Sequence, residues 1–257
     1  MTNSLSNLET YSFSRLTTFH QCKYQYWLNY IADEKPEKVG SGYTENGSFC
    51  HALLEGYERG ELAIYELADL YEEGFAENVP SSFPTLRGVY QGDKCYEDCY
   101  NFFASFDGIP NKYEIIGAED HFVELIESDI TEPFNFQGYI DLILKEKETG
   151  KLVLWDWKSS ANMTKKTLLE KEPQLYLYSL RMLRQYGKLP DELIFYSFRS
   201  DKAYPIKFDE SKYLKYLNWM TDTVKQIREC TEWDKNVQYF FCTNLCDFRG
   251  FCDMETE

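Results

Sequence analysis

The sequence predicts an α/β protein: a helical N-terminal segment, a strand-rich core and a cysteine-rich tail. Three observations point there. The first hundred residues carry helical spacing, residues 113–158 are dominated by β-branched and aromatic runs, and three cysteines crowd into the last sixteen positions.

In order, Ser12 and Ser14 are candidate caps for a helix running through Leu16, Phe19, Tyr26 and Ile31 and ending before Pro36. Gly40, Ser41 and Gly42 mark residues 38–46 as a loop, with helical stretches over 47–59 and 62–75. Residues 78–92 hold two Pro, two Gly and three Ser/Thr and read as a loop or the mouth of a groove. Residues 93–106 regain helical spacing and put Cys95 and Cys99 on one face. Three strand-like runs follow at 113–126, 134–145 and 152–158, the last two joined by a polar turn at 146–150. A helix is predicted over 173–186, strands over 193–198 and 204–208, and a long helix over 210–231.

With 257 residues the chain can bury a sizeable core as one large domain or two small ones. Its 21 Tyr and 18 Phe, without low-complexity tracts or repeats, predict order outside the first ten residues and the last few. No apolar run approaches the length of a membrane span, and the N-terminus lacks the basic start and apolar core of a signal peptide. The expectation is a cytoplasmic protein whose eight cysteines are thiols or metal ligands rather than disulfides. The balance of 27 basic against 43 acidic residues, a net charge of −16, argues against a nucleic-acid binder. A nucleic-acid role therefore needs a local basic groove and bound metal ions.

The strand Leu-Val-Leu-Trp-Asp-Trp-Lys places Asp156 and Lys158 two apart, on one face. Asp141, in Gly-Tyr-Ile-Asp-Leu-Ile, lies on the preceding strand, so hairpin pairing would bring the two carboxylates together. Two carboxylates and an ammonium suit metal-assisted phosphodiester hydrolysis: the acids hold a hard divalent ion, and the lysine orients or deprotonates water. Asp156 and Lys158 follow three apolar residues and alternate with Trp155 and Trp157, which points to a buried, functional face rather than an ordinary solvated edge.

Cys242, Cys246 and Cys252 have ligand-like spacing, and soft thiolates select zinc or an iron–sulfur cluster. The pattern is not the paired Cys-x2-Cys of a zinc ribbon. Cys95 and Cys99 form a rival pair; lacking a clustered third partner, they read with Cys50 and Cys230 as structural thiols.

These motifs together resemble the PD-(D/E)XK nucleases, in their RecB-like exonuclease branch. The Asp141 and Asp156-x-Lys158 strands match its core, and Gly47-Ser-Phe-Cys-His51 looks like its upstream metal-binding histidine. Gln174-Leu-Tyr-Leu-Tyr178 looks like its downstream Gln–Tyr motif, and Glu119 stands where the branch often carries an acid. The resemblance implies a central mixed sheet flanked by helices. It implies Mg²⁺ or Mn²⁺ held by His51, Asp141 and Asp156, with the Trp157 carbonyl a further ligand. Lys158 becomes the catalytic lysine, and Gln174 and Tyr178 position the phosphate or the lysine.

The cysteines are similar to those of branch members that carry a 4Fe-4S cluster, including the CRISPR-associated exonuclease family. In these, one cysteine precedes the core and three follow; Cys22, in Cys-Lys-Tyr-Gln-Tyr-Trp, looks like the N-terminal ligand. The family spaces the first two C-terminal cysteines by two residues; here three separate them. The implied organisation is one domain over 1–257, with a helical segment at 12–110, the nuclease core at 111–232 and a cluster-binding tail at 233–257 closing onto Cys22. The implied activity is a metal-dependent exonuclease on single-stranded DNA or DNA ends, with recombination or CRISPR-type partner proteins and no membrane. A DNA-binding or assembly module with a structural metal centre is the alternative. Candidate phosphate contacts are Lys158, Lys165, Lys166, Lys171, Arg15 and Lys23, and Tyr24, Tyr26 and Trp27 are candidates to stack on bases.

Overall fold

A computed structural model describes residues 8–253. The elements run β1 (Thr10–Ser12), α1 (Phe13–Gln21), α2 (Lys23–Tyr30), α3 (Gly42–Glu58), α4 (Leu67–Asn78), β2 (Thr85–Leu86), β3 (Val89–Tyr90), α5 (Gln91–Ser105), β4 (Tyr113–Ile126), β5 (Phe134–Glu146), β6 (Leu152–Lys158), α6 (Lys165–Tyr186), β7 (Glu192–Ser197), β8 (Lys202–Lys207), α7 (Glu210–Glu229) and α8 (Tyr239–Asn244). The α/β order is the expected one. Among the described residues no helix is long and apolar enough to cross a membrane.

The sheet is mixed, and β5 is its hub. β4 pairs antiparallel along one whole edge of β5. The other edge is divided, β1 running parallel to residues 135–137 and β6 antiparallel to residues 142–145. Residues 138–141 lie between these two ladders, so the sheet forks there. β6 continues into parallel β7, and β8 closes antiparallel. β2 and β3 make a separate two-stranded hairpin within the expected 78–92 loop.

Each face of the sheet carries its own apolar core. Leu16, Phe19 and Tyr26 of α1 and α2 pack with Leu175 and Met182 of α6 and Met220 and Val224 of α7, against Phe134, Phe136 and Ile140. On the opposite face Leu53 and Leu54 of α3, Tyr71 of α4 and Phe102 and Phe103 of α5 cover Leu142, Leu144, Trp155 and Trp157. Burying this much aromatic and aliphatic surface is the main favourable term in folding, at about 25 cal/mol per Å² of apolar area.

The first expected helix is instead two. Cys22 is extended (φ −161°, ψ 112°); its N–H still closes α1 on the Thr18 carbonyl, while its sulfur caps α2 by accepting the Gln25 N–H at 3.4 Å. The break takes the sulfur off the helix face and turns it to the tail. α3 also begins five residues earlier than its pattern suggests, at Gly42. α6 starts at Lys165, eight residues before Pro173, where the sequence places its start. Proline is at home in a first turn but removes a hydrogen bond from a helix interior. Here Thr164 caps the additional turns, accepting the Thr167 N–H at 3.1 Å, and Leu168 anchors them on the core.

The tail folds back on the N-terminal helices. Tyr24 N–H donates to the Asp234 carbonyl at 3.0 Å, the Asn236 side chain to the Gln21 carbonyl at 2.7 Å, and Val39 N–H to the Asp247 carbonyl at 2.7 Å.

Candidate active site

The fork in the sheet gathers the candidate residues. Asp141 stands where β5 and β6 part, and its Oδ2 accepts the Trp157 N–H at 2.7 Å in place of a further ladder bond. Side-chain alternation breaks here: Ile140 and Leu142, two apart, enter opposite cores. Across the ladder, Ala118 pairs with Leu142 and Asp120 with Ile140, which sets Glu119 opposite Asp141. Glu119 has φ +46°, a left-handed conformation that costs a non-glycine residue about 1 kcal/mol or more. His51 arrives from α3, its Nδ1 3.7 Å from Asp141 Oδ2. Ligand atoms of His51, Glu119 and Asp141 all lie within 4.8 Å of one another.

The other face supplies the cation. Leu152 and Leu154 face the core beneath α6, while Val153, Trp155 and Trp157 face that beneath α3. Alternation therefore turns Asp156 and Lys158 towards α6. Lys158 Nζ ion-pairs with Asp156 and donates to Gln174 Oε1 at 3.0 Å, and Gln174 Nε2 donates to the Tyr178 hydroxyl at 3.3 Å. Tyr178 sits against Gly138 in the fork, where a β-carbon would meet its ring at 2.5 Å. The fork thus lets α3 and α6 reach one spot from opposite faces. Asp156 does not join the compact His51–Glu119–Asp141 group; it is engaged by Lys158.

Electrostatics set the protonation of this group. Burial lowers the His51 imidazole to about 4, leaving a lone pair free for a metal at neutral pH. Burial, then the neighbouring Asp156 charge, raises Asp141 well above the usual carboxylate range. Glu119 is pushed up to about 7 by burial and then by Glu55. Sequence reasoning missed Glu58, raised to about 8 by burial although its Oε1 accepts the Trp157 indole N–H at 2.6 Å. A signal existed: His51, Glu55 and Glu58 are spaced i, i+4, i+7 along α3. One imidazole among buried carboxylates that resist ionisation fits a divalent cation with oxygen and nitrogen ligands. On α6, burial and then Lys158 lower the Lys171 ammonium.

Cys22, Cys242, Cys246 and Cys252 line one cavity with Leu28, Phe241 and Phe248. The Cys22 sulfur accepts two backbone N–H groups, Gln25 at 3.4 Å and Asn236 at 3.5 Å. Among the described residues no three of these sulfurs lie within 4.8 Å of one another. Cys50, Cys95 and Cys99 are buried, and the Asn46 side chain donates to Cys95 and Cys99 at 3.3 Å each.

Two candidate DNA contacts are corrected. Tyr26 is fully buried, stacked on Trp233 with ring centroids 5.8 Å apart. Arg15 is bound to the Tyr26 hydroxyl at 3.0 Å and the Thr10 carbonyl at 2.8 Å. Aromatic and cationic character made them look like nucleic-acid contacts, but their hydrogen bonds and packing are internal.

A family model of the PD-(D/E)XK nuclease superfamily matches residues 10–253. No curated protein matches the chain. Among solved structures, it is similar to a "Putative exonuclease" from Eubacterium rectale, at 13% identity and a TM-score of 0.47, over 99% of this chain and 93% of that one. It is also similar to SSO0001, at 14% identity and a TM-score of 0.38, over 95% and 96% of the two chains.

Proposed function

The chain belongs to the PD-(D/E)XK nuclease superfamily, and from that premise we propose that it is a metal-dependent DNA exonuclease acting on single strands or DNA ends. The observation that carries this reading is the meeting of His51, Glu119 and Asp141 with Lys158 in one fork of the sheet. His51 and Asp141, with Glu119 beside them, would hold Mg²⁺ or Mn²⁺; Asp156, paired with Lys158 in the metal-free fold, and the Trp157 carbonyl would complete the set. When bound, the ion supplies Lewis acidity at the scissile phosphate and lowers the pKa of water. Lys158, its ammonium fixed by Asp156 and Gln174, orients the attacking water and offsets the charge that develops on the phosphate. Gln174 and Tyr178 position the lysine and the phosphate. Attack on phosphorus is in line, with no covalent enzyme intermediate.

Labelled single-stranded DNA should be shortened in Mg²⁺ or Mn²⁺ and left intact in EDTA, and Asp156→Ala should lose the activity. Wild type that cleaves nothing, or a variant that cleaves equally well, overturns the assignment.

The cavity lined by Cys22, Cys242, Cys246 and Cys252 is proposed to hold a 4Fe-4S cluster rather than zinc. Supporting this are the convergence of the four cysteines on one cavity and the two N–H groups aimed at Cys22. Anaerobically purified protein should be brown with broad visible absorbance; a colourless, zinc-loaded preparation rejects the cluster. Cys22→Ser should bleach the protein and lower its melting temperature, because the clasp between α2 and the tail is lost, with activity falling as a consequence.

A further inference from the structure

Two rungs beyond the Glu119–Asp141 row, the β4–β5 ladder carries an aromatic pair that no part of the proposed chemistry uses. His121 pairs directly with Tyr139, and their ring centroids are 4.5 Å apart. Tyr139 is 58% exposed and His121 is exposed as well.

Their side of the sheet follows from their neighbours. Asp120 is bound by Arg181 of α6 at 2.8 Å, and Phe122 meets Tyr178 of α6 edge-on at 5.4 Å. Gly138 lies under Tyr178, and Ile140 packs in the same core. His121 and Tyr139 alternate with these residues and so point the other way, to the side from which His51 enters. Two residues of strand place them about 7 Å from the row. The next rung on that side is Val123 with Gln137, uncharged and with Val123 40% exposed.

We propose that His121 and Tyr139 form a stacking platform for a nucleobase of the strand whose scissile phosphate lies at the Asp141 row. This rests on the nuclease reading above. The argument is chemical. A polyanion approaching a chain of net charge −16, at a fork crowded with carboxylates, gains little from long-range attraction. Base–aromatic stacking is indifferent to that charge and to sequence. The platform continues the row along the strands, and its own face carries no carboxylate on these two rungs. The pair's packing on itself is an ordinary cross-strand contact, but it leaves ring surface open to solvent beside the row.

The test compares Tyr139→Ala and Tyr139→Phe with wild type on two single strands, one fully based and one carrying an abasic analogue at successive positions beside the scissile phosphate. Tyr139→Ala should raise KM about 10- to 100-fold on the based strand, with kcat changed much less, and Tyr139→Phe should restore it. The abasic strand should be a poorer substrate for wild type at one position, and at that position Tyr139→Ala should cost nothing more. A based strand cleaved equally well by wild type and Tyr139→Ala removes the platform while leaving the nuclease intact. An equal loss on based and abasic strands reduces Tyr139 to a structural role. Wild type inert on every strand defeats the nuclease reading, and the platform falls with it.

Discussion

Asp141→Asn is expected to reduce metal-dependent cleavage about a thousandfold or more, from the loss of about 4 kcal/mol of ion-mediated stabilisation at 1.36 kcal/mol per tenfold. Mn²⁺ binding should weaken by about 100-fold or more, since even residues that only orient metal ligands are worth 10- to 100-fold. The fold should survive, because the asparagine carbonyl can still accept the Trp157 N–H that Asp141 Oδ2 now takes at 2.7 Å. Stability should move the other way. Asp141 is held by burial and by Asp156 in a site that resists its charge, so removing that charge should raise the melting temperature in EDTA above pH 7. Calorimetry and titration with Mn²⁺ measure both effects. A variant that cleaves normally, or that binds Mn²⁺ as wild type does, removes Asp141 from the metal site.

What the sequence made legible divides along physical lines. β4 and β6 begin and end where their β-branched and aromatic runs do, at Tyr113–Ile126 and Leu152–Lys158, because a strand's pattern is local. The Asp156–Lys158 relation was legible for the same reason. β1 is three residues long and is defined by pairing with residues 135–137, more than a hundred positions away; nothing local announces it. Glu119 is the instructive case. Its left-handed backbone and its place beside His51 arise from the break in alternation that the fork imposes. A glutamate carries no glycine-like mark of such a conformation. Pro173 misplaced the start of α6, since a proline that would open a helix in isolation is overridden by a capped and anchored turn before it. Tyr26 and Arg15 show the limit of composition, as burial decides whether an aromatic or a cation is available to a ligand.

The metal-free protein should lose stability as pH rises from about 5 to about 8, and Mn²⁺ should restore it increasingly over that interval. Glu119 and Glu58 keep their protons to about 7 and about 8 in the folded chain, while the unfolded chain releases them near the ordinary value of 4.5. Below that value both states are protonated and the groups contribute no difference. Above it, the unfolded state has fewer bound protons than the folded one. Each such group then disfavours folding progressively as pH rises until its folded value is passed, the less buried Glu119 more weakly than Glu58 because solvent screens it. Asp141 acts in the same direction. His51 acts oppositely: lowered from 6.5 to about 4, it stays unprotonated in the fold while the unfolded imidazole is charged, so its contribution recovers between these values and is complete above 6.5. It offsets one carboxyl up to that point and none beyond. The decline should therefore continue through pH 7 and ease once Glu119 and Glu58 have ionised. A divalent ion at the fork binds the deprotonated Asp141 and Glu119 and the free His51 imidazole and so competes with their protons. At a hundred times its Kd the ion adds about 2.7 kcal/mol. Melting temperatures in EDTA and in Mn²⁺ across pH 5–9 measure the gap, which should widen with pH. A gap that stays constant, or an EDTA profile that rises through pH 7, would show that Asp141 and Glu119 are not the ion's ligands and that the fork of the sheet is not where the metal sits.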